Sequence, residues 1–84
     1  MNEPRMIEPR QAKYQWGQRI VATADLFNDG SYPDIEPESL LVGSGATGEI
    51  VNVGYHEELN LPVYLVEFEA GRVVGCLEEE IAPL

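Results

Sequence analysis

The stretch PVYLVEFE at residues 62–69 alternates between two kinds of side chain. Tyr64, Val66 and Phe68 share one face of an extended chain, and two glutamates lie on the other face. An alternation with a period of two residues is typical of a β-strand with one buried face. This stretch is the clearest strand in the sequence, and the rest of the fold is predicted outward from it.

Shorter stretches on both sides carry the same signal and are separated by turns rich in glycine. Their β-branched content predicts further strands, and no ten-residue window has a helical period. A brief apolar clip lies at residues 40–42, and the acids at 78–80 lead into residues 81–83, where one short helical turn and a closing strand are predicted. The predicted strands are residues 19–23, 49–53, 62–69, 72–77 and a closing strand at 81–83.

Four or five short strands with glycine at nearly every corner predict an all-β domain. We expect it to close into a small SH3-like barrel of about five strands, because closure removes exposed sheet edges. This barrel domain is predicted to occupy residues 14–84. Residues 1–13 contain two prolines and mixed charges, so we expect a flexible N-terminal tail there.

The length and composition of the chain limit the class of protein. A chain of 84 residues fits one domain, which has little material for a deep active-site cavity. No apolar run approaches the length of a membrane span, and no basic start followed by an apolar run marks export. A single cysteine fits a reducing compartment. We therefore expect a soluble cytoplasmic protein.

Charge is the most informative bulk property of the chain. Fifteen acids and five bases give a net charge of −10. Residues 20–84 carry thirteen of those acids and only one base, Arg72. Such a surface repels nucleic acid, since phosphate neutralisation supplies most non-specific affinity. It attracts a basic patch on a partner protein, although plain solubility explains the charge as well.

The sequence lacks the constellations that carry chemistry. His56 is the only histidine and adjoins two glutamates on a predicted loop, where neighbouring side chains rarely converge on one ion. The glycine-rich turn at 43–48 is followed by a β-branched strand, whereas a phosphate-binding loop precedes a helix. Gly48 instead begins a pattern typical of a strand that bends tightly after a turn. We predict no catalytic residue, no metal and no cofactor.

Cys76 has two interpretations. By alternation it lies on the same face as Val74, and the run of acids at 78–80 disfavours a thiolate. A buried, unreactive thiol fits this setting. A contact or transient ligand role at an interface is the alternative, which Cys76→Ser would test.

Two loops carry apolar side chains that either cap the core or form a binding patch. The first is a long acidic loop at residues 28–39, which begins with Asn-Asp-Gly and contains Tyr32. Long loops in small domains are often functional. The second, at 54–61, contains Leu59 and Leu61. Phe27, just before the first loop, has the same two interpretations.

Several short motifs occur in a characteristic order along the chain. They are Asn-Asp-Gly at 28–30, Leu-Leu-Val at 40–42, Gly-x-x-Gly at 45–48, Tyr-x-Val-x-Phe at 64–68 and Val-Gly-Cys-x-Glu at 74–78. In this combination the sequence resembles the NifZ family of nitrogen-fixation accessory proteins. The likeness spans about residues 14–82, and longer members of the family continue into a C-terminal extension.

This resemblance implies an SH3-like fold and a role without enzymatic activity. It implies a chaperone-like part in maturing the molybdenum–iron protein of nitrogenase, while the P-cluster, an iron–sulfur centre at a subunit interface, is formed. The resemblance implies that the positions characteristic of the family in this sequence are Asn28, Asp29, Gly30, Gly75 and Cys76.

We therefore expect a surface that binds protein, with neither nucleic acid nor membrane as a partner. The expected partner is the immature molybdenum–iron protein, docked by the two loops and released once it closes. Two alternatives are a nucleic-acid-binding barrel, which the charge opposes, and a small regulatory or structural SH3-like subunit of an iron–sulfur or redox enzyme complex. The candidate partner-binding residues are Asn28, Asp29, Gly30, Tyr32, Leu59, Leu61 and Cys76.

Overall fold

The computed structural model describes residues 11–30, 32–69 and 71–84. Residues 1–10, and with them most of the predicted tail, lie outside the described residues. No helix in the described ranges is long and apolar enough to cross a membrane. The strands described are β1 (Arg19–Ala22), β2 (Leu26–Phe27), β3 (Leu40–Val42), β4 (Thr47–His56), β5 (Leu61–Phe68), β6 (Val73–Cys76) and β7 (Ile81–Pro83), with a 3-10 turn at Glu78–Glu80 before β7.

Five of the strands form one antiparallel sheet in the order β6-β5-β4-β1-β7, and β2 pairs with β3 in a second, two-stranded sheet. The ladder between β4 and β5 is the longest. Its register shifts between Ile50 and Asn52, so that Val51 is an extra residue in β4. Such a bulge bends a strand and increases its twist.

The core lies on the inner face of β5. Tyr64, Val66 and Phe68 are almost completely buried, as their alternation predicts. Neighbouring strands of the large sheet add Ile20, Ile50, Val74, Cys76 and Ile81, and the small sheet adds Leu26, Leu41 and Val42. Burial of these side chains holds the two sheets together, since about 25 cal/mol is gained per Å² of apolar surface removed from water.

Gly48 is the point where β4 passes closest to β5. A Cβ at this position would lie 2.7 Å from the carbonyl oxygen of Glu67 and 2.8 Å from a methyl group of Val66. Only glycine permits so close an approach of two strands. The pattern after Gly48 predicts a tight bend, and the bulge at Val51 lies in that segment.

A buried hydroxyl fixes the beginning of the described chain to the sheet. The Tyr64 hydroxyl accepts hydrogen bonds from the backbone N–H groups of Lys13 (2.8 Å) and Tyr14 (3.2 Å). It donates to the Glu78 carboxylate at 2.7 Å, and Lys13 N–H donates to the same oxygen at 3.0 Å. Lys13, the last residue of the predicted tail, is thus held against the domain. Burial raises the pKa of the Tyr64 hydroxyl.

The all-β prediction is confirmed, but the predicted closure of the barrel is wrong, because the two sheets are open. In the described residues no backbone ladder joins β6 to the small sheet. Two side chains bridge the gap instead: the Tyr32 hydroxyl donates to the carbonyl oxygen of Val73, and Arg72 donates to that of Leu41 at 3.0 Å. Strand β2 has two residues and β6 has four, and in the described residues β2 pairs with β3 and β6 with β5.

Candidate protein-binding groove

The gap between the sheets forms a groove of about 710 Å³. We call this the β6 groove; it is bounded by the outer face of β5, the edge of β6, β2 and the beginning of the loop at 28–39. Its volume is in the range of ligand-binding pockets, about 300–1,000 Å³. The groove is therefore large enough to hold part of another molecule.

The floor of the groove is apolar. Val63 and Leu65 lie on the face of β5 opposite the core, and Val73 of β6 adjoins them. Because Gly75 has no side chain, it does not cover this floor. A Cβ there would stand 3.4 Å from Val63 and 3.7 Å from Leu65, so even a methyl group would fill part of the groove.

Two large apolar side chains stand at the rim. Phe27 of β2 is 56% exposed, and Leu59 at the tip of the hairpin between β4 and β5 is 54% exposed. The tip is ordered locally, because the Leu59 N–H donates to Nδ1 of His56 at 3.1 Å. Exposed apolar side chains around an apolar groove are typical of interaction sites.

The rim also carries negative charge. Asp25, Asp29 and Glu80 line the groove, while Arg72 donates to the Leu41 carbonyl and is not among the lining residues. Two of the acids have fixed positions: Asp25 accepts the Ser44 N–H at 2.8 Å, and Glu80 accepts the Leu77 N–H at 2.8 Å. Such charges steer basic partners and oppose acidic ones.

The structure brings four of the seven predicted partner-binding residues together. Asp29, Tyr32, Leu59 and Cys76 line the β6 groove, although they are far apart in sequence. Leu61, the first residue of β5, is partly buried and is not among the lining residues. Whether the lining residues contact a partner stays a prediction.

Asn28 does not line the groove but holds the loop at 28–39 in shape. Its side chain is buried, and its Nδ2 donates to the carbonyl oxygens of Tyr32, Ile35 and Glu36 at 3.0, 2.8 and 3.2 Å. Its Oδ1 accepts from the N–H groups of Gly30 and Tyr32. Gly30 turns the chain with a φ of +105°, which favours glycine. Together these contacts shape the loop that carries Tyr32 to β6.

Cys76 belongs to the core and also lines the inner wall of the groove. The residue is completely buried, and its Sγ lies 3.5 Å from the carbonyl oxygen of Val74. Desolvation, and to a lesser extent the charge of Glu80, raises the pKa of the Cys76 thiol to about 12. The thiol is therefore protonated at neutral pH, which fits the buried, unreactive interpretation.

Metal ligands are not clustered in the part of the chain that the structure describes: no group of three or more His, Cys, Asp or Glu side chains there could hold an ion.

The sequence signal missed several groove residues. Val63 and Leu65 lie on the same face of β5 as Glu67. Two apolar residues on the face that carries the glutamates were the signal in the sequence that this face is not entirely solvated. Asp25 and Glu80 carried no local signal, because only the tertiary fold places them at one rim.

Comparison with known proteins places the whole described domain in one family. Residues 11–83 match the family model described as a NifZ domain. The chain belongs to the NifZ family. The resemblance found in the sequence motifs is thereby confirmed, and it associates the chain with nitrogen fixation. The β6 groove lies entirely within the matched NifZ domain.

Individual relatives carry the name Protein NifZ. That of Frankia alni is 41% identical over 70 residues, which are 81% of this chain and 36% of the relative. That of Azotobacter vinelandii is 34% identical, covering 82% of this chain and 43% of the relative. That of Klebsiella pneumoniae is 29% identical over 73 residues, covering 86% and 49%. The chain thus spans about a third to a half of these NifZ proteins, and no solved structure matches it.

Proposed function

We propose that this NifZ-family domain is a non-catalytic accessory protein that acts in the cytoplasm and binds the immature molybdenum–iron protein of nitrogenase through the β6 groove, assisting formation of the P-cluster. The observation that carries the proposal is the groove itself, in which an apolar floor is surrounded by exposed Phe27 and Leu59 and by acids. Membership of the NifZ family supports the link to nitrogen fixation.

The groove has the composition that transient protein binding requires. Removal of its apolar surface from water favours association and offsets part of the entropic cost of binding. Phe27 and Leu59 are already exposed at the rim, so a partner can cover them without opening the core. The acids accelerate encounter with a basic surface and add specificity more than affinity.

An assembly helper must distinguish two states of its client. A ligand shifts an equilibrium only by the difference between its affinities for the two states. The domain therefore has to bind the immature client more tightly than the mature one, which lets it leave when the cluster is complete. We propose that the client segment seated in the β6 groove is accessible only before the client closes.

This proposal is tested by affinity capture with the full chain as bait. Molybdenum–iron protein from a strain arrested before P-cluster formation is compared with the mature protein at equal concentration. We expect at least tenfold more capture of the immature form, which corresponds to about 1.4 kcal/mol. Equal capture of both forms contradicts the proposal. Permanent, stoichiometric co-purification with a mature enzyme contradicts it as well and favours a small-subunit role.

A further inference from the structure

The edge of β6 that faces the groove has backbone groups which the fold does not pair in a ladder. The Phe68 N–H donates to the carbonyl oxygen of Arg72 at 2.9 Å, so these two residues form a hydrogen-bonded pair at the start of the β5–β6 ladder. Hydrogen-bonded pairs alternate along antiparallel strands. From the register, Val74 and Cys76 therefore direct their backbone groups towards β5, and Val73 and Gly75 direct theirs away from it.

One of these outward groups already accepts a hydrogen bond from a side chain. The Tyr32 hydroxyl donates to the carbonyl oxygen of Val73, where the N–H of a neighbouring strand would otherwise donate. Among the described residues no strand pairs with this edge, which leaves the N–H of Val73 and both backbone groups of Gly75 facing the groove. The edge therefore offers donors and an acceptor at the spacing of a β-ladder.

We propose that the edge of β6 receives an extended, basic segment of a client protein as an added β-strand. Addition of a strand to a sheet edge is a common mode of peptide recognition, in which backbone hydrogen bonds give affinity and side-chain pockets give specificity. The four residues of β6 define a ladder of about 13 Å. The added strand fills the gap between the two sheets, so the barrel predicted from the sequence is completed only in the complex.

The side-chain chemistry of the groove selects the segment. On the face opposite the core, alternate side chains of the added strand lie beside Val73 and Gly75 and, because Gly75 has no side chain, can reach Val63 and Leu65 across it, so these positions are apolar. Lysine or arginine at the remaining positions meets Asp25, Asp29 and Glu80 at the rim. The segment thus combines Val, Ile or Leu with Lys or Arg in alternation.

The negative charge of the chain also argues against a second copy of this chain as the strand that binds at the β6 edge. The strand β6 contains no base, and residues 20–84 carry thirteen acids with one base. A second copy at this edge would bring its own groove acids, Asp25, Asp29 and Glu80, towards those of the first, and this repulsion costs affinity. A basic client segment is favoured by the same field. Only the identity of that client rests on the proposed function; the mode of binding follows from the edge and the charges.

The inference is tested on the full chain with synthetic ten-residue peptides and with amide hydrogen exchange read by NMR. One peptide set alternates Lys or Arg with Val, Ile or Leu, and a matched set has Glu in place of each base. We expect the basic set to bind at least tenfold more tightly and to slow exchange at the N–H groups of Val73 and Gly75. Binding that leaves these two amides unprotected, or equal binding of both sets, overturns the inference.

A pair of variants at one position isolates the backbone contribution. Gly75→Pro removes the outward N–H, and proline is tolerated at an edge where that group faces away from the sheet. Gly75→Ala adds a similar Cβ but keeps the N–H. We expect Gly75→Pro to lose at least tenfold in peptide affinity and Gly75→Ala to lose less than threefold. Equal loss in both contradicts strand addition. Should Gly75→Pro not fold, Val73→Pro removes the other outward N–H, and the exchange data on the unaltered chain decide.

The outcomes separate this inference from the proposed function. Peptide binding with protection of both amides, but without capture of the immature molybdenum–iron protein, supports the strand-addition site and contradicts that client. Capture of the client without protection at Val73 and Gly75 contradicts the site and leaves the client intact. Protection of both amides in the peptide-free chain, from a second copy or from the chain's own terminus, overturns the inference.

Discussion

The two neighbours of β5 differ in almost every respect. On one side, β4 is ten residues long, runs along the whole of β5, and approaches it so closely that Gly48 has no room for a Cβ. On the other side, β6 has four residues, and its far edge faces a groove. The β4 side provides stability, whereas the β6 side leaves apolar surface and backbone groups available. Binding capacity in this small domain lies where the sheet is left unfinished.

Two glycines of β4, Gly48 and Gly54, are expected to give the largest difference in stability when each is replaced by alanine. Gly48→Ala should lower the free energy of unfolding by about 3 kcal/mol, since the added methyl group meets backbone atoms of β5 that cannot move independently. Gly54→Ala is the matched control in the same strand, where the nearest atom to the new Cβ is 4.0 Å away. Urea denaturation checks both. Equal midpoints for the two variants would contradict the close approach of β4 to β5.

Asn28 tests whether the open side depends on the loop at 28–39. Asn28→Ala should cost about 2 kcal/mol of stability, because the carbonyl oxygens of Tyr32, Ile35 and Glu36 lose their donor. It should also release the Tyr32 contact with β6. Asn52→Ala is the control, because this exposed side chain accepts only from the adjacent Val53 N–H. Thermal unfolding measures the cost, and an Asn28→Ala variant as stable as Asn52→Ala would refute the architectural role.

The dependence of stability on alkaline pH tests whether Cys76 of β6 is buried. The pKa of the Cys76 thiol is about 12 in the fold and about 8.5 in an unfolded chain, so the unfolded state loses its proton first as pH rises. Stability should hold below about pH 8.5 and then fall by up to about 1.4 kcal/mol per pH unit towards pH 12. Cys76→Ala should flatten the part of this decline that is due to the thiol. Tyr64, whose pKa burial also raises, contributes to the decline in both proteins.

The measurement is urea denaturation at several pH values on both proteins, with alkylation of the native thiol as a second reading. Identical decline in the two proteins, or rapid alkylation at pH 8, would contradict the buried position of Cys76 in β6.

The comparison also explains what could be predicted from the sequence. The strand β5 was predictable because the burial of Tyr64, Val66 and Phe68 follows from a local period of two. The bend after Gly48 had a local pattern as well. Closure of the barrel was predicted from the general cost of exposed edges, but the two-residue strand β2 is too short to show a sequence period, and in the described residues it pairs with β3 and not with β6.

The groove was only partly predictable, for a physical reason. The loops that carry Tyr32 and Leu59 were recognised by their exposed apolar residues, and the structure brings them to one site. Asn28 and Gly30 looked similar in sequence, yet the Asn28 side chain binds the backbone of its own loop and Gly30 sits in its turn. Hydrogen bonds of this kind depend on the folded path of the loop, and no periodicity of side chains encodes them.

Two leucines of similar exposure test whether the client binds in the β6 groove. Leu59 lines the β6 groove and is 54% exposed, whereas Leu40 is 51% exposed and does not line it. The affinity of Leu59→Ser and Leu40→Ser for the immature molybdenum–iron protein is measured by biolayer interferometry. We expect a loss of about tenfold for Leu59→Ser and less than twofold for Leu40→Ser, because only Leu59 lines the groove. Equal affinities, or a larger loss for Leu40→Ser, would contradict binding through the groove.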